Sequence, residues 1–230
     1  VETGFPIYGF LIALTSWFLG AWLLEDKPNV THRDKALGKQ SSKENRAVLG
    51  LVILIGAMGA SGATMEGIAN DWSALYLTSV LGAEPAIAAW GLAAFSLGMT
   101  ASRLSIDVLV AKVGRMPIIR YGSILSALVL VAMMFPSTIA VSIFLWALLG
   151  IFLAGVVPQL FALAGRLGNP SHHGRNMSRV VGITYLAALA GPSVIGILTI
   201  FVPLNTAFVF GVLLGVWVAS GSVILARVRA

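Results

Sequence analysis

The feature that most constrains this sequence is a series of long apolar segments separated by short polar connections. A helix needs roughly 20 apolar residues to cross a bilayer. Seven segments meet that requirement: Pro6–Leu24, Ala47–Ser79, Glu84–Val113, Met116–Pro136, Thr138–Leu167, Arg179–Val202 and Asn205–Ala226. Their apolar runs are continuous and do not alternate with polar residues, which favours helices over strands. We therefore predict an all-α polytopic membrane protein with seven transmembrane helices.

The composition excludes a water-soluble enzyme. Apolar residues make up 58% of the chain and charged residues only 10%, against about 45–50% and about 25% in soluble domains. The chain has no cysteine, so it has no disulfide, no Cys-ligated metal site and no thiol nucleophile. The sequence also lacks a Gly-rich phosphate-binding motif and a nucleophile–base–acid set. We expect no enzyme activity, no organic cofactor and no metal site.

The basic residues predict the orientation of the chain. A net charge of +6 is also typical of nucleic-acid-binding proteins, but all 15 Lys and Arg residues lie in or beside alternate connections and at the carboxyl end. The other connections, Gly82–Pro85, Pro136–Thr138 and Val202–Asn205, hold none. Basic residues collect on the cytoplasmic side of membrane proteins. We predict a multi-pass protein of the plasma membrane, the inner membrane in a bacterium, with Val1 outside, Ala230 in the cytosol, and no nucleic-acid partner.

The spacing of the segments divides the chain into three parts. Residues 1–24 form a single predicted helix, 25–46 a charged cytosolic linker without apolar periodicity, and 47–230 a block of six helices joined by short turns. The first residue is Val and not Met, so we interpret the chain as part of a longer protein.

Four motifs resemble those of the major facilitator superfamily, and they occur along the chain in the order expected for it. A basic–x–Gly–basic turn at Lys112–Arg115 follows Ser102–Asp107 and resembles the cytosolic signature that joins two helices of a six-helix half. Gly155–Arg166 and Gly191–Gly196 resemble later helices of the same superfamily, and Glu66–Leu77 resembles a stretch of its fucose-permease-like branch.

The resemblance implies a twelve-helix transporter whose sixth helix, central linker and carboxyl-terminal bundle are present here. The partners would be a small solute, protons, the lipid bilayer and the missing amino-terminal helices. The turn departs from the superfamily pattern at two positions. Ala111 replaces the usual acidic residue three positions before Gly114, and Asp107 replaces the usual Gly seven before.

Polar residues inside the apolar segments are the candidate site residues, since charges in a bilayer are costly. Glu66 follows 19 residues without a charge, at an expected depth in the outer part of the membrane. Around a helix of 3.6-residue period it shares one face with Gly59, Gly62, Asn70 and Ser73. This stripe is either a cavity wall, with Glu66 binding a proton or substrate, or a close helix contact in which a neighbouring helix satisfies Glu66.

Three further residues of this segment have two interpretations. Asp71, Trp72 and Tyr76 form either an interfacial belt or part of the transport site, in which the two aromatic side chains would stack on a sugar ring. The length of Ala47–Ser79 and its four glycines also predict a break in this helix, a feature of transporter sites.

The remaining candidates lie toward the cytosol. Arg103 and Asp107, four residues apart on one helical face, form a predicted charge pair. With Lys112, Gly114 and Arg115 they constitute a candidate cytosolic gate; the alternative is an arginine that snorkels to the headgroups. Gln159 either lines the cavity or makes a hydrogen bond between packed helices.

We therefore expect a proton-coupled secondary transporter, a symporter or antiporter, that works by alternating access. Facilitative transport and drug or metabolite efflux are alternatives within this class. A seven-helix receptor is an alternative from another class, although the last segment lacks the Schiff-base lysine of retinal proteins. An intramembrane hydrolase would require Glu66 and Asp71 to converge, and these residues lie about 140° apart on a helix.

Overall fold

The computed structural model describes residues 40–229, and all the regular structure in that range is helical. The predicted first span, Pro6–Leu24, lies outside the described residues. The α-helices in chain order are α1 Gln40–Ser79, α2 Pro85–Val113, α3 Arg115–Met133, α4 Ile139–Leu153, α5 Val156–Ala164, α6 His173–Leu198, α7 Leu204–Ala207 and α8 Val209–Arg229, with a 3₁₀ turn at Pro170–His172 before α6.

Six segments of the described chain are long and apolar enough to cross a bilayer. They are Arg46–Ser79, Pro85–Val113, Arg115–Met133, Ile139–Ala164, Pro170–Leu198 and Leu204–Arg227. This is an all-α membrane protein with six of the seven predicted spans in the described chain. Five begin within one residue of their predicted start, and the span predicted at Arg179–Val202 instead runs from Pro170 to Leu198. Helix α1 begins at Gln40 and so includes the last residues of the predicted linker.

Local sequence signals explain where several helices begin and end. Pro85 stands at the start of α2, where its missing N–H leaves no hydrogen bond unmade. Gly114 has φ +83°, which a residue with a side chain rarely adopts, and so allows α2 to end and α3 to begin within one residue. Thr138 caps α4 by accepting a hydrogen bond from the Val141 N–H at 3.4 Å.

The predicted break lies in a different span. Helix α1 is continuous through its glycines, whereas the span Ile139–Ala164 is divided between α4 and α5 at Ala154 and Gly155. Pro158, which cannot donate a backbone hydrogen bond, follows in the first turn of α5. A methyl group at Gly155 would lie 2.7 Å from the Ile118 side chain, so the break also permits close packing.

The closest helix contact joins α2 and α4. A methyl group at Gly98 would overlap the Ala147 carbonyl oxygen, and one at Gly150 would overlap the Phe95 carbonyl oxygen. A little further along α2, the Ser102 hydroxyl donates a hydrogen bond to the Ile151 carbonyl at 3.0 Å. Small residues thus bring the two backbones into direct contact, as is common between transmembrane helices.

The remaining helices complete the bundle. Helix α3 packs along α8 and α4. A methyl group at Gly59 of α1 would overlap the Thr184 hydroxyl of α6, and one at Gly191 of α6 would lie 2.6 Å from the Thr64 side chain of α1. Many large apolar side chains remain exposed on the outside of the bundle, among them Leu104, Leu186 and Leu189. Such a surface is expected for contact with lipid or with another apolar helix bundle.

The charge distribution predicts the side of the membrane on which each connection lies. Glu84 and Ser137 are exposed on connections without basic residues, and Ser171 is exposed on a connection between basic residues. Because the chain contains no cysteine, single cysteines at these positions provide clean labels. We expect an impermeant maleimide added outside cells to label Glu84→Cys and Ser137→Cys, and to label Ser171→Cys only after permeabilisation. Outside labelling of Ser171→Cys would reverse the predicted orientation.

Candidate functional site

An ion pair between two membrane-spanning helices marks the candidate site. The Arg103 Nη2 atom of α2 lies 3.7 Å from the Glu66 Oε1 atom of α1. The Glu66 side chain is 22% exposed and that of Arg103 is 48% exposed. The Oε1 atom is buried and has no hydrogen-bond partner among the described residues. The pair is therefore electrostatic and loose, with hydrogen-bonding capacity left on both side chains.

The geometry of the α1–α2 hairpin explains why these residues meet. At about 1.5 Å per residue, Glu66 lies about 20 Å from the outer end of α1 at Ser79, and Arg103 about 27 Å from the outer end of α2 at Pro85. Helical side chains lean toward the amino end of their own helix. In this antiparallel pair Glu66 leans toward the start of α1 and Arg103 toward the start of α2, so their side chains converge near the middle of the two helices.

The polar stripe of α1 divides into a packed part and an accessible part. Gly59 and Gly62 contact α6 and α5, because a methyl group at Gly62 would lie 2.9 Å from the Val157 side chain. Ser73 is fully buried, and its backbone lies against Gly91 of α2. Glu66 is partly exposed and Asn70 is exposed. Glu66 and Asn70 are therefore the two stripe residues that are accessible at the surface of the described bundle.

The outer end of α1 borders a cavity of about 480 Å³. Trp72 lines it together with residues from the outer ends of α1, α6 and α7, including Thr199 and Asn205. The Trp72 indole N–H is buried and has no hydrogen-bond partner among the described residues. Asp71, the neighbouring residue, is exposed. Trp72 thus faces a space large enough for a ligand, at some distance from the ion pair.

Tyr76 has the geometry of a core residue. It is fully buried, and its hydroxyl donates a hydrogen bond to the Met133 carbonyl at 3.0 Å. Its ring lies 6.1 Å from that of Trp146 and 5.5 Å from that of Phe208, centroid to centroid. The ring is not available to stack on a solute, as the sequence analysis allowed, and we leave Tyr76 out of the proposed site.

Gln159 also has a packing role, and it contacts the predicted gate. Its side chain is buried, and its Oε1 accepts a hydrogen bond from the Arg115 Nε atom at 3.0 Å. This bond connects the turn between α2 and α3 to α5. Lys112 and Gly114 of the same turn are exposed at its surface. Gln159 therefore makes the packing hydrogen bond that was one of its two predicted roles, and it positions Arg115.

The partner of Arg103 differs from the predicted one. The structure pairs Arg103 with Glu66, whereas the sequence analysis paired it with Asp107. Asp107 is exposed on α2 and forms no ion pair with any residue in the described range. Periodicity along one helix identifies residues on the same face, but it does not show which residue of the next helix lies opposite. The pair is instead suggested by comparing how far Glu66 and Arg103 each lie from the connection between α1 and α2.

Two other contacts of polar side chains were not predicted. The Arg120 Nε atom of α3 donates to the Ser222 hydroxyl of α8 at 3.3 Å, and the Asn205 amide donates to the Met134 carbonyl at 2.8 Å. The Asn205 bond and the Tyr76 bond satisfy carbonyl groups at the outer end of α3, which a helix end otherwise leaves unpaired. These are structural contacts away from the ion pair.

Comparison with known proteins decides the family. The sequence profile described as the Major Facilitator Superfamily matches residues 47–229. The chain belongs to the Major Facilitator Superfamily. This confirms the family that the four motifs predicted, and it identifies a multi-pass protein of a transporter family and not an enzyme.

Three bacterial relatives support the assignment to the superfamily. An uncharacterized MFS-type transporter of Yersinia pestis is 35% identical over 162 residues, which cover 69% of this chain and 41% of the relative. An uncharacterized transporter of Sinorhizobium fredii is 31% identical over 199 residues, 84% of this chain and 51% of the relative. The membrane protein MosC of Rhizobium meliloti is 30% identical over 226 residues, 95% of this chain and 52% of the relative.

The extent of these matches bears on the size of the transporter. The chain spans about half the length of the curated relatives it matches. No solved structure gave a significant match. The Glu66–Arg103 ion pair is therefore described from the geometry of this chain alone.

Proposed function

We propose that this chain contributes the carboxyl-terminal six-helix bundle, and one preceding helix, to a twelve-helix secondary transporter that moves a small solute together with protons. The superfamily match and the half-length coverage of the relatives support this assignment. The stretch Glu66–Leu77 favours the fucose-permease-like branch. The bacterial relatives favour the inner membrane of a bacterium. Solute would bind near the midplane, between this bundle and the amino-terminal one, and alternating access would result from their relative rocking.

The observation that carries the proposal is the Glu66–Arg103 ion pair between two helices that are long and apolar enough to cross a bilayer. An uncompensated charge within a bilayer is costly, by about 2.5–3.5 kcal/mol or more. A carboxylate loses its charge by taking up a proton, whereas a guanidinium stays charged. Glu66 is therefore the member of the pair whose charge can change during a transport cycle. It is also accessible from the bundle surface, as a proton-exchanging group must be.

The neighbouring polar residues have proposed roles around this group. Asn70 lies one turn outward of Glu66 on the accessible face and supplies an amide for hydrogen bonds to solute. Asp71 and Trp72 contribute to the outer entrance, where Trp72 lines the cavity. The cytosolic gate consists of Asp107, Lys112, Gly114 and Arg115, with Gln159 holding Arg115 in place.

Proton coupling is tested by following protons directly. The full-length transporter is reconstituted into liposomes that enclose a pH-sensitive dye, and sugars, amino acids, amines and carboxylates are added outside, one class at a time. We expect one class to move protons through the transporter, and a protonophore to remove the resulting pH difference. Liposomes without protein are the control. Uptake of a solute with no accompanying proton movement would instead establish facilitative transport.

A further inference from the structure

We propose that the transported solute is a small carboxylate anion, and that its carboxylate replaces Glu66 beside Arg103 when Glu66 takes up a proton. This inference rests on the proposed function and names its substrate class. In the empty site Arg103 faces the Glu66 carboxylate. In the loaded site it faces the carboxylate of the solute, and Glu66 is neutral.

Arg103 has N–H donors that the described residues leave without a hydrogen-bond partner. The guanidinium has five N–H donors. Arg115 and Arg120 donate to Gln159 and Ser222 at 3.0 and 3.3 Å. The one contact that the described residues give Arg103 is the 3.7 Å approach of Glu66, and the side chain is 48% exposed. Arg103 therefore has donors and space for a second anion.

Arg103 needs an anion beside it in both the empty and the loaded state of the site. Because the guanidinium does not lose its proton, protonation of Glu66 leaves a bare positive charge in the membrane. A carboxylate is the anion that matches the two-pronged donor geometry of a guanidinium. If the solute brings that carboxylate, the site is neutral both empty and loaded. One proton then accompanies each solute anion.

Other charged groups in the described spans could in principle take the place of Glu66 or of Arg103. In the described spans the other carboxylates are Asp71 and Asp107; α3, α4, α5, α6 and α8 contribute none. Asp71 lies about 140° around α1 from Glu66 and about 7.5 Å further outward. The basic residues of α6, Arg175 and Arg179, stand in its first two turns at the opposite end from the outer connection. Asp71 is therefore not placed to replace Glu66, and neither Arg175 nor Arg179 is placed to replace Arg103.

Asp107 is the carboxylate nearest in sequence to Arg103 and could compete with a solute for the guanidinium. It lies one turn inward of Arg103 on α2 and is exposed. The Arg103 side chain leans outward, toward the amino end of α2 and away from Asp107, and its contact with Glu66 shows this direction. When Glu66 is neutral, the guanidinium donors that face it lose their anionic partner. We expect a solute carboxylate, and not Asp107, to reach them from that side.

The test uses a small carboxylate, acetate, and its neutral counterpart, acetamide, on the full-length transporter. Phenylglyoxal modifies accessible arginines, and peptide mass spectrometry measures the rate at Arg103 alone. In Glu66→Gln, acetate is expected to slow modification of Arg103 by about threefold or more, while acetamide leaves the rate unchanged. Equal rates in acetate and acetamide would overturn the proposal. The unsubstituted protein gives a second measurement, since acetate protection should increase as the pH falls and Glu66 takes up its proton.

The double variant Glu66→Gln with Asp107→Asn separates the solute from the internal competitor. If acetate protects Arg103 equally in the single and the double variant, the solute site is supported. Protection in the double variant alone would show that Asp107 replaces Glu66, and would overturn the proposal. The dye assay is independent of this result. Proton movement with a neutral solute would retain Glu66 as the proton carrier and reject the carboxylate solute. Protection of Arg103 without proton movement would retain the carboxylate site and reject proton coupling.

Discussion

Replacing Glu66 with Gln in the intact transporter is expected to abolish proton-driven accumulation of solute while leaving exchange of solute across the membrane. Gln has the shape of a protonated Glu but has no proton to release, so the variant remains in the loaded form of the site. A gradient of about one pH unit supports an accumulation of about tenfold for one proton per solute. In the variant the ratio of inside to outside concentration should fall to about one.

The measurement compares accumulation and counterflow in the same proteoliposomes. Glu84→Gln is the matched control, because Glu84 is an exposed carboxylate on the connection between α1 and α2, outside the bilayer spans. The control should accumulate solute as the unsubstituted protein does. Normal accumulation by Glu66→Gln would make Glu66 a packing residue and would move the proton site to Asp71 or to the other bundle.

The second large effect is expected from Gly150→Ala. The added methyl group would overlap the Phe95 carbonyl oxygen. Because that atom belongs to the backbone of α2, no side-chain rotation relieves the overlap, and α2 and α4 must separate. Overpacking of this kind costs about 1–3 kcal/mol, occasionally more. We expect a lower yield of folded transporter and a lower melting temperature in detergent.

Gly182→Ala provides the matched control for this packing prediction. A methyl group at Gly182 of α6 would contact nothing within 4 Å. The same chemical change should therefore leave the melting temperature unchanged or raise it slightly, because Ala favours a helix over Gly. If Gly150→Ala melted at the same temperature as Gly182→Ala, the backbone contact between α2 and α4 would not be as close as described.

The sequence predicts the spans well because the bilayer imposes their length and polarity. The predicted segment Glu84–Val113 corresponds to helix Pro85–Val113, and Ala47–Ser79 to the span Arg46–Ser79. The break was placed in the wrong span. Glycines alone do not distinguish a break from a close helix contact, and in α1 they permit contact with α6. In the span Ile139–Ala164, Gly155 together with Pro158 produces the break.

The sequence identifies the two members of the ion pair but not that they pair with each other. A charge within an apolar span identifies Glu66 and Arg103 separately, because each must have a compensating partner. Their partnership depends on the alignment of two helices, which the pattern of one helix does not contain. Burial is equally invisible to periodicity when a helix has neighbours on several sides. For this reason the burial of Tyr76 and Gln159 could not be predicted from their positions along the helices.

The contact between α2 and α4 has a consequence for how charge moves during transport. Gly98 and Ser102 hold α2 against the backbone of α4 immediately before Arg103. In the proposed cycle the guanidinium is therefore a positive charge that stays fixed relative to α4, and the proton and the solute anion are the charges that cross the membrane. An electrode would register protons and solute anions crossing together, and the two currents would cancel. For a cell, the proposed cycle would be driven by the difference in pH and not by the membrane potential.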